Sequence, residues 1–303
     1  MTSSDVAFSD TSLSIILPAR NEAAGLESLL PRLRRMFPKA EILVVDDGST
    51  DATPLICQTN GVRRVVHPYS MGNGAAIKSG ARAATGEVLV FMDADGQHSP
   101  EDVPALVSQV GAGYDMVIGA RQGGGQANVG RGVANTFFNV LASYMTGHKV
   151  QDLTSGFRAV RASRFREFLH LLPNGFSYPT TITMAFFRAG YPVCYLPIHA
   201  VKRIGKSHIR PLRDGFRFLL IIFKIGTLYS PLKLFTPVAL FHFLLGLGYY
   251  VFTYWTQARL SNMTIFMFTS AVIIFLIGLV SEQITQLIYR PLAASLKEGE
   301  RRE

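Results

Sequence analysis

Short apolar runs alternate with longer amphipathic stretches over the first two hundred residues of the chain. The predicted strands are residues 14–17, 42–45, 62–66, 88–92 and 115–118, and the clearest helical patterns are residues 22–36 and 74–84. Short strands between longer helices are typical of βαβ units. The pattern therefore predicts an α/β domain around a mostly parallel sheet, in which ligands bind at the carboxyl ends of the strands.

The last third of the chain is almost continuously apolar. Two stretches without a formal charge, residues 234–256 and 264–281, approach or meet the length needed to cross a bilayer. A helix needs roughly 20 residues to span a hydrocarbon core of about 30 Å. Aromatic residues cluster at the end of the first stretch, as they do at membrane interfaces. The pattern predicts two transmembrane helices, and a pair of buried core helices is the alternative.

Basic residues flank the predicted hairpin and set its expected orientation. The connecting residues 257–263 carry one basic residue, Arg259, whereas several Lys and Arg lie before and after the two stretches. By the positive-inside rule the tip faces out and both ends face the cytosol. Residues 211–232 mix basic and large apolar side chains, which predicts an amphipathic helix in the interface, with a globular-core helix as the alternative.

These patterns divide the chain into five predicted parts. They are a polar tail (1–11), an α/β domain (12–210), an amphipathic juxtamembrane segment (211–232), a two-helix transmembrane hairpin (233–290) and a charged cytosolic tail (291–303). The polar start lacks the basic and apolar regions of a secretory signal, so we expect the first domain to stay in the cytosol. The expected location is an integral membrane protein, in the inner membrane if the source is bacterial.

Composition narrows the classes of function. Hydrophobic residues make up 48% and charged residues 17%, which excludes a disordered, collagen-like or coiled-coil chain. The formal net charge of +9 indicates an anionic partner, such as nucleic acid, a phosphorylated metabolite or a membrane surface. The basic residues concentrate beside the apolar stretches, which disfavours nucleic acid. Two cysteines cannot form a disulfide framework or a Cys-rich zinc site.

Acidic clusters follow two of the predicted strands. Asp93 and Asp95 come directly after an apolar strand, and Gln97 adds a third oxygen. Mg²⁺ and Mn²⁺ favour oxygen ligands and share their remaining positions with substrate phosphates, although such a triplet is also a common solvated turn. We expect His98, beside this turn, to lie at the surface, with contact to metal or phosphate as the alternative. Residues 46–51 end an earlier strand. One interpretation is that their carboxylates hydrogen-bond a nucleobase or ribose hydroxyls, and the alternative is an ordinary turn with a helix cap.

Six motifs occur in one order along the α/β domain. They read PARNE (18–22), VVDDGSTD (44–51), GNGAAIKSG (72–80), DADGQH (93–98), GAR (119–121) and DLTSGFR (152–158). The first four, in this order, resemble the family 2 glycosyltransferases of GT-A fold, and more narrowly the dolichyl- and polyprenyl-phosphate mannosyl- and glucosyltransferases. The last two motifs, together with Arg203 and Lys206, strengthen the narrower resemblance. The resemblance covers about residues 12–210, and the C-terminal hairpin resembles bacterial members. At Arg20 the chain departs from the aromatic residue that many members carry.

The resemblance implies a UDP- or GDP-linked sugar as donor, a polyprenyl phosphate as acceptor, and Mg²⁺ or Mn²⁺ as cofactor. The implied donor-binding residues are Pro18, Ala19, Asn21, Glu22, Asp46, Asp47, Lys78, Asp93 and Ala94. The implied metal ligands are Asp93, Asp95 and Gln97, and the catalytic set is Asp93, Asp95, Arg121 and Asp152. The implied contacts to the acceptor phosphate are Arg131, Asn135, Ser155, Arg203 and Lys206. In addition, Gly72-Asn73-Gly74 at the start of a helix suggests contact with a phosphate.

The chemistry of the acceptor explains why no strong general base is evident. A phosphate monoester has a second pKa of about 6, so it is largely a dianion at neutral pH and can attack directly. Attack by one nucleophile predicts inversion at the anomeric carbon. The expected function is therefore inverting, metal-dependent transfer of one sugar to a polyprenyl phosphate at the cytosolic membrane face.

Several other functions compete with this one. A processive polysaccharide synthase of the same fold is expected to carry Gln-x-x-Arg-Trp, yet the only tryptophan, Trp255, lies in the first apolar stretch. A non-catalytic membrane scaffold with a degenerate transferase domain stays open, as does a transferase that uses another lipid acceptor. A homo-oligomer is also left open.

Overall fold

The computed structural model describes residues 12–121, 129–175, 178–198 and 226–288. These residues fall into two units, one with the sheet in residues 12–198 and one with the apolar helices in residues 226–288.

Seven strands of the first unit form one sheet. They are β1 (Leu13–Ala19), β2 (Glu41–Asp46), β3 (Arg63–Val66), β4 (Val88–Phe91), β5 (Met116–Arg121), β6 (Arg158–Arg161) and β7 (Val193–Ile198). Their order is β3-β2-β1-β4-β6-β5-β7. The five strands predicted from the sequence are present with bounds that differ by a few residues, and β6 and β7 are additional. The prediction of a mostly parallel sheet is confirmed.

Strand β6 runs against its two neighbours. It pairs antiparallel with β4 on one side and with β5 on the other, whereas the remaining pairs are parallel. Because of this reversal, the chain enters β6 at the edge where the other strands end. The residues just before β6, including Asp152, are thereby brought to the same edge as the acidic turn after β4.

In the part of the first unit that the structure describes, seven helices accompany the sheet. They are α1 (Ala23–Met36), α2 (Thr53–Thr59), α3 (Asn73–Ala83), α4 (Val103–Gly111), α5 (Val129–Thr146), α6 (Ala162–Glu167) and α7 (Tyr178–Arg188). A short 3₁₀ turn, Pro100–Asp102, precedes α4. Helix α1 shows how the sequence sets the packing: Leu26, Leu29, Leu30 and Leu33 recur at helical spacing and are its buried residues.

The central strands are apolar on both faces. Every residue of β4 is buried, as is most of β1, because helices cover the sheet on both sides. The outer strand β3 is largely exposed and begins with two arginines. Charged side chains on an edge strand oppose pairing with another chain.

The second unit is a helical hairpin. Helices α8 (Pro231–Gln257) and α9 (Asn262–Ile288) are both long and apolar enough to cross a membrane. They pack antiparallel, since the rings of Phe243 and Phe268 lie 5.2 Å apart and Phe235 packs against Gly278. Most of their large apolar side chains face outward, and Trp255 is 85% exposed. Buried core helices would show the opposite, so a membrane hairpin is favoured. Of the juxtamembrane segment, residues 211–225 lie outside the described residues.

Candidate active site

A cleft of about 450 Å³ opens where β1, β2 and β4 end. The sequence-predicted residues that line it are Pro18, Ala19, Glu22, Asp47, Asp93, Ala94, Asp95 and Gln97. Arg20, Ser70, Gly72, Asn73 and Ala76 complete its walls. The parallel strand ends and the start of α3 therefore gather four of the six sequence motifs around one cavity, at the edge where the sheet topology predicts a ligand.

The acidic turn after β4 rests on the segment before β6. Asp93 packs on Gly156, where an added Cβ would lie 3.0 Å from Asp93 Oδ2. His98 Nε2 lies 3.6 Å from the same oxygen, which is too long for a hydrogen bond. The His98 ring is buried and stacks on Phe157 with centroids 4.9 Å apart. The expectation of a surface histidine was wrong, because the ring fills space beneath the turn.

Asp47 is buried and accepts four hydrogen bonds. Its donors are His67 Nδ1 (2.7 Å), Ser70 Oγ (2.8 Å) and the backbone N–H groups of Met71 (2.7 Å) and Gly72 (3.0 Å). Burial alone would raise the pKa of Asp47, but these bonds together hold it below its ordinary value. The carboxylate therefore organises the loop that forms one wall of the cleft.

Arg121, the last residue of β5, forms a two-pronged ion pair with Asp152. Arg121 Nε donates to Asp152 Oδ2 at 2.8 Å, and Nη2 donates to Oδ1 at 3.0 Å. The hydrogen bonds to Asp152 raise the pKa of Arg121, and the charge of Asp93 adds to this although burial opposes it. Burial would raise the pKa of Asp152, yet the bonds and charge of Arg121 keep it below its ordinary value. Both carboxylate oxygens of Asp152 accept hydrogen bonds from Arg121, so the carboxylate holds the guanidinium in one orientation.

A second arginine lies beneath the site. Arg158 is completely buried at the start of β6, and its guanidinium donates to the carbonyls of Ser155 and Pro179 and to Thr183 Oγ1. Burial lowers the pKa of Arg158. The side chain holds the turn before β6 from below.

Comparison with known proteins decides the family. Residues 14–169, about half of the chain, match the family described as glycosyl transferase family 2. The chain belongs to this family. Residues 230–287 match the GtrB C-terminal hairpin. The protein is therefore a glycosyltransferase with a GT-A-like sheet domain and a hairpin of two candidate membrane helices.

Named relatives extend the likeness. An undecaprenyl-phosphate mannosyltransferase of Micrococcus luteus is 33% identical over 63% of this chain and 85% of its own length. A polyprenol monophosphomannose synthase of Mycolicibacterium smegmatis is 32% identical over 62% of this chain and 77% of its own. Glucosyl-3-phosphoglycerate synthase from Mycobacterium tuberculosis, crystallised with Mn²⁺ and UDP-glucose, is 25% identical, with a TM-score of 0.57 over 71% of this chain and 77% of that one.

The cleft of this glycosyltransferase suits a divalent cation. Among the described residues that line it, Arg20 is the only cation, against the carboxylates of Glu22, Asp47, Asp93 and Asp95. The described residues contain no group of three or more His, Cys, Asp or Glu side chains that could hold a metal alone. Two carboxylates and an amide instead match a Mg²⁺ or Mn²⁺ ion that completes its coordination with substrate phosphates. The carboxylates of the cleft would repel a diphosphate, and a bound cation would offset this repulsion.

Some predicted donor-binding residues of the glycosyltransferase lie off the cleft wall. Asp46 accepts from Arg64 Nη1 at 3.1 Å and from the backbone of Ser49 at 2.8 Å. Asn21 ties β1 to the same loop, since its Oδ1 accepts the N–H of Thr50 at 2.8 Å. Both residues therefore hold the loop that precedes α2.

Lys78 joins α3 to the segment that precedes α7. Its ammonium donates to the carbonyl of Leu172 at 3.1 Å and to Asn174 Oδ1. Burial lowers its pKa. The first N–H groups of α3 are bonded to the same segment. The N–H of Ala75 donates to the carbonyl of Asn174 at 2.9 Å, and the N–H of Gly74 donates to the carbonyl of Gly175 at 3.3 Å. These N–H groups are bonded to protein, so they are not open to a phosphate.

The predicted acceptor contacts are only partly described. Ser155 is buried, and its hydroxyl donates to the carbonyl of Gly119 at 2.7 Å. Arg131 and Asn135 lie on α5, with side chains outside the described part of the structure. Arg203 and Lys206 also lie outside the described residues.

Sequence reasoning missed two groups of residues at the site. The contacts of His67 and Ser70 with Asp47 carry no local signal, because the partners are separated by 20 or more residues. Arg158 was read only as the end of a motif, and its complete burial shows a supporting role. Long-range hydrogen bonds of this kind follow from the tertiary fold rather than from any motif.

Proposed function

We propose that this glycosyltransferase transfers one sugar, with inversion, from a nucleotide sugar to a polyprenyl phosphate in a metal-dependent reaction. The observation that carries the proposal is the meeting of the acidic cleft and the Arg121–Asp152 pair at one edge of the sheet. The two bacterial relatives named for polyprenyl-phosphate products or acceptors, and the apolar hairpin, support a lipid acceptor.

The cleft is assigned to the nucleotide sugar. Its volume of about 450 Å³ falls within the range of small-molecule sites. Pro18 and Ala19 supply backbone, and Glu22 and Asp47 supply hydrogen-bond acceptors for the nucleoside. A transfer assay with both kinds of donor distinguishes a UDP-linked sugar from a GDP-linked one.

The diphosphate leaving group is assigned to Arg121 and the acidic turn. Negative charge develops on the diphosphate as its bond to the anomeric carbon breaks, and a preorganised guanidinium stabilises that charge. Asp93, Asp95 and Gln97 would hold a divalent cation, which when bound neutralises charge on the diphosphate. Asp152 keeps the Arg121 guanidinium in one orientation.

The acceptor is assigned as a phosphate monoester dianion. One of its oxygens forms a bond to the anomeric carbon, the carbon–oxygen bond to the nucleoside diphosphate breaks, and the electron pair leaves with the diphosphate. No proton has to be removed from the nucleophile. This agrees with the state of Asp152, whose two carboxylate oxygens are bonded to Arg121. The proposed group around this phosphate is Arg131, Asn135, Ser155, Arg203 and Lys206. Ser155 would act indirectly, through the turn that its hydroxyl stabilises.

The proposed setting is the cytosolic face of the membrane. The hairpin would span the bilayer with both ends inside, and residues 211–232 would lie in the interface. This arrangement brings a soluble nucleotide sugar and a lipid phosphate to the same surface.

A transfer assay tests the proposal. The purified full-length protein is incubated with undecaprenyl phosphate and radiolabelled UDP-glucose, UDP-galactose or GDP-mannose, and the lipid phase is extracted. We expect label in the lipid phase from one donor, abolished by EDTA and restored by Mg²⁺ or Mn²⁺. Parallel reactions with 3-phosphoglycerate test a soluble acceptor. Label that enters only 3-phosphoglycerate contradicts the lipid acceptor, and transfer that persists in EDTA contradicts the metal.

The acidic turn is tested by Asp95→Asn. The substitution keeps the shape of the side chain and removes its charge, so transfer should fall by at least about 100-fold, as when other preorganised electrostatic groups are removed. Glu27→Gln, on the exposed face of α1, is the matched control and should keep wild-type activity. Equal melting temperatures of the two variants would show that folding is unaffected. Full activity of Asp95→Asn in EDTA would remove the acidic turn from the mechanism.

A further inference from the structure

Asn139 on α5 holds the backbone on both sides of Asp152. Its Nδ2 donates to the carbonyl of Gln151 at 2.7 Å, and its Oδ1 accepts the N–H of Leu153 at 3.0 Å. The partners fix which atom is which, because a carbonyl cannot donate and an N–H cannot accept. One planar carboxamide therefore fixes the residues before and after the carboxylate that pairs with Arg121.

The pairing of Asp152 with Arg121 is sensitive to the orientation of this segment. Two parallel N–H···O bonds require the carboxylate and guanidinium planes to coincide. The backbone N–H groups of Thr154 and Ser155 also donate to Asp152 Oδ1, each at 3.1 Å, so the carboxylate turns with its own loop. A rotation of the loop would break the two-pronged geometry even if the ion pair survived.

We propose that Asn139 is a positioning residue for the transfer reaction: it orients Asp152 and, through Asp152, holds Arg121 toward the leaving diphosphate. The proposal rests on the proposed function, in which Arg121 stabilises that leaving group. The competing explanation is that Asn139 merely fastens a loop to a helix and contributes to stability alone.

The chain offers a matched control on the same helix and loop. Ser143 lies one turn after Asn139, and its hydroxyl accepts the N–H of Val150 at 2.9 Å and donates to the carbonyl of Asn139 at 2.6 Å. Ser143→Ala therefore removes a comparable attachment of the loop, at a point away from Asp152. A role in stability alone predicts similar effects for the two sites.

Hydrogen exchange of the full-length protein tests the contact without any substrate. Asn139→Ala should speed exchange of the amides of Leu153, Thr154 and Ser155, whereas Ser143→Ala should affect the amide of Val150. Asn139→Asp keeps an acceptor for Leu153 but loses the donor to Gln151, and serves as a second variant if Asn139→Ala folds poorly. Unchanged protection at 153–155 in both variants would overturn the proposal.

Steady-state kinetics test the positioning role. In Asn139→Ala, kcat and kcat/KM should fall together by about tenfold or more, because the lost alignment matters only when charge develops on the diphosphate. Ser143→Ala should stay within about twofold of wild type, as expected for a site that does not couple to the chemistry. Equal losses in the two variants would show a common role in stability and overturn the proposal.

A double-mutant cycle separates action through Arg121 from any independent effect. In the Arg121→Ala background, Asn139→Ala should cost less than about twofold further, because the group that it positions is gone. The same loss in both backgrounds would overturn the proposal. If the wild type transfers sugar to 3-phosphoglycerate and not to lipid, the proposed acceptor fails, but the cycle still applies since Arg121 acts on the nucleotide sugar.

Discussion

Asp152 illustrates how one carboxylate serves both the fold and the chemistry. It accepts hydrogen bonds from the Arg121 guanidinium, from three backbone N–H groups and from the hydroxyl of Thr154, and all of them favour its charged form. The resulting low pKa keeps the pair ionised throughout the range in which the acceptor phosphate titrates. An acid limb of the transfer rate near pH 6 would then report the acceptor and not Asp152.

The stability of the Asp152 variant should depend on pH. A group whose pKa is lowered by folding contributes stability above its unfolded pKa, and this contribution disappears as pH falls through the folded-state pKa. Asp152→Asn should lower the melting temperature at pH 7 by about 2–4 °C, a small effect because 38% of the Arg121 side chain is exposed to solvent. The difference from wild type should shrink below about pH 4.

The measurement is a series of thermal melts between pH 3.5 and 7.5. Glu27→Gln, exposed on α1, is the control and should follow the wild type at every pH. A difference for Asp152→Asn that is largest in acid would contradict the assignment of the ionised pair.

At the residue scale, the position of a strand end is what the sequence predicts best. Asp47, Asp93 and Asp95 were placed at strand ends by the apolar runs before them, and all three line the cleft. Lys78 and Ser155 came only from the family resemblance, and the structure shows them bonded to backbone carbonyls. Those partners are distant in sequence, so no local pattern distinguishes a ligand contact from a structural one.

At the element scale, α3 and the loop of residues 173–175 are packed backbone to backbone. A Cβ added at Gly74 would lie 2.0 Å from the carbonyl oxygen of Pro173, so neither element could keep its place. The first N–H groups of α3 are bonded to this loop, and the residues just before the helix line the cleft. The helix start therefore links loop packing to the shape of the nucleotide site.

Gly74→Ala should destabilise the protein by about 1–3 kcal/mol, the usual cost of overpacking, and should raise the KM for the nucleotide sugar. Gly111→Ala is the matched control, since it lies in α4 with open space around it and an ordinary helical φ. The control should be neutral or stabilising by up to about 1 kcal/mol. Chemical unfolding and initial rates measure both effects, and identical behaviour of the two variants would contradict the close packing at Gly74.

The elements also differ in how well the sequence predicts them. The strands β1 to β5 follow apolar runs bounded by turn residues, and their bounds were predicted within a few residues. Strand β6 has only four residues, with arginine at each end, and so gives no comparable hydrophobic signal. Its antiparallel direction depends on pairing with β4 and β5, which is a property of the whole sheet.

At the scale of the whole molecule, the hairpin decides on which side of a membrane the glycosyltransferase domain works. The charge bias around α8 and α9 predicts an outward tip. In a background with Cys57 and Cys194 replaced by alanine, Asn262→Cys should react with a membrane-impermeant maleimide in intact cells. Ser4→Cys should react only after the cells are permeabilised. The reverse pattern would place the active site outside and contradict the proposed supply of nucleotide sugar from the cytosol.

The sheet order also bears on how the chain assembles as it leaves the ribosome. Strands β3, β2, β1 and β4 are neighbours and are complete by residue 91, so they can pair early, whereas β5 pairs only with β6 and β7, which are made later. Domains form in the direction of synthesis, so we expect a fragment of residues 1–121, released from the ribosome, to resist protease across β1–β4 and to be cut within β5. Protection of β5 in that fragment would contradict this order. The acidic turn, which rests on Gly156, and Arg121, which pairs with Asp152, would both gain their supports only with the segment before β6, so a nascent chain would be unable to consume nucleotide sugar until β6 had inserted.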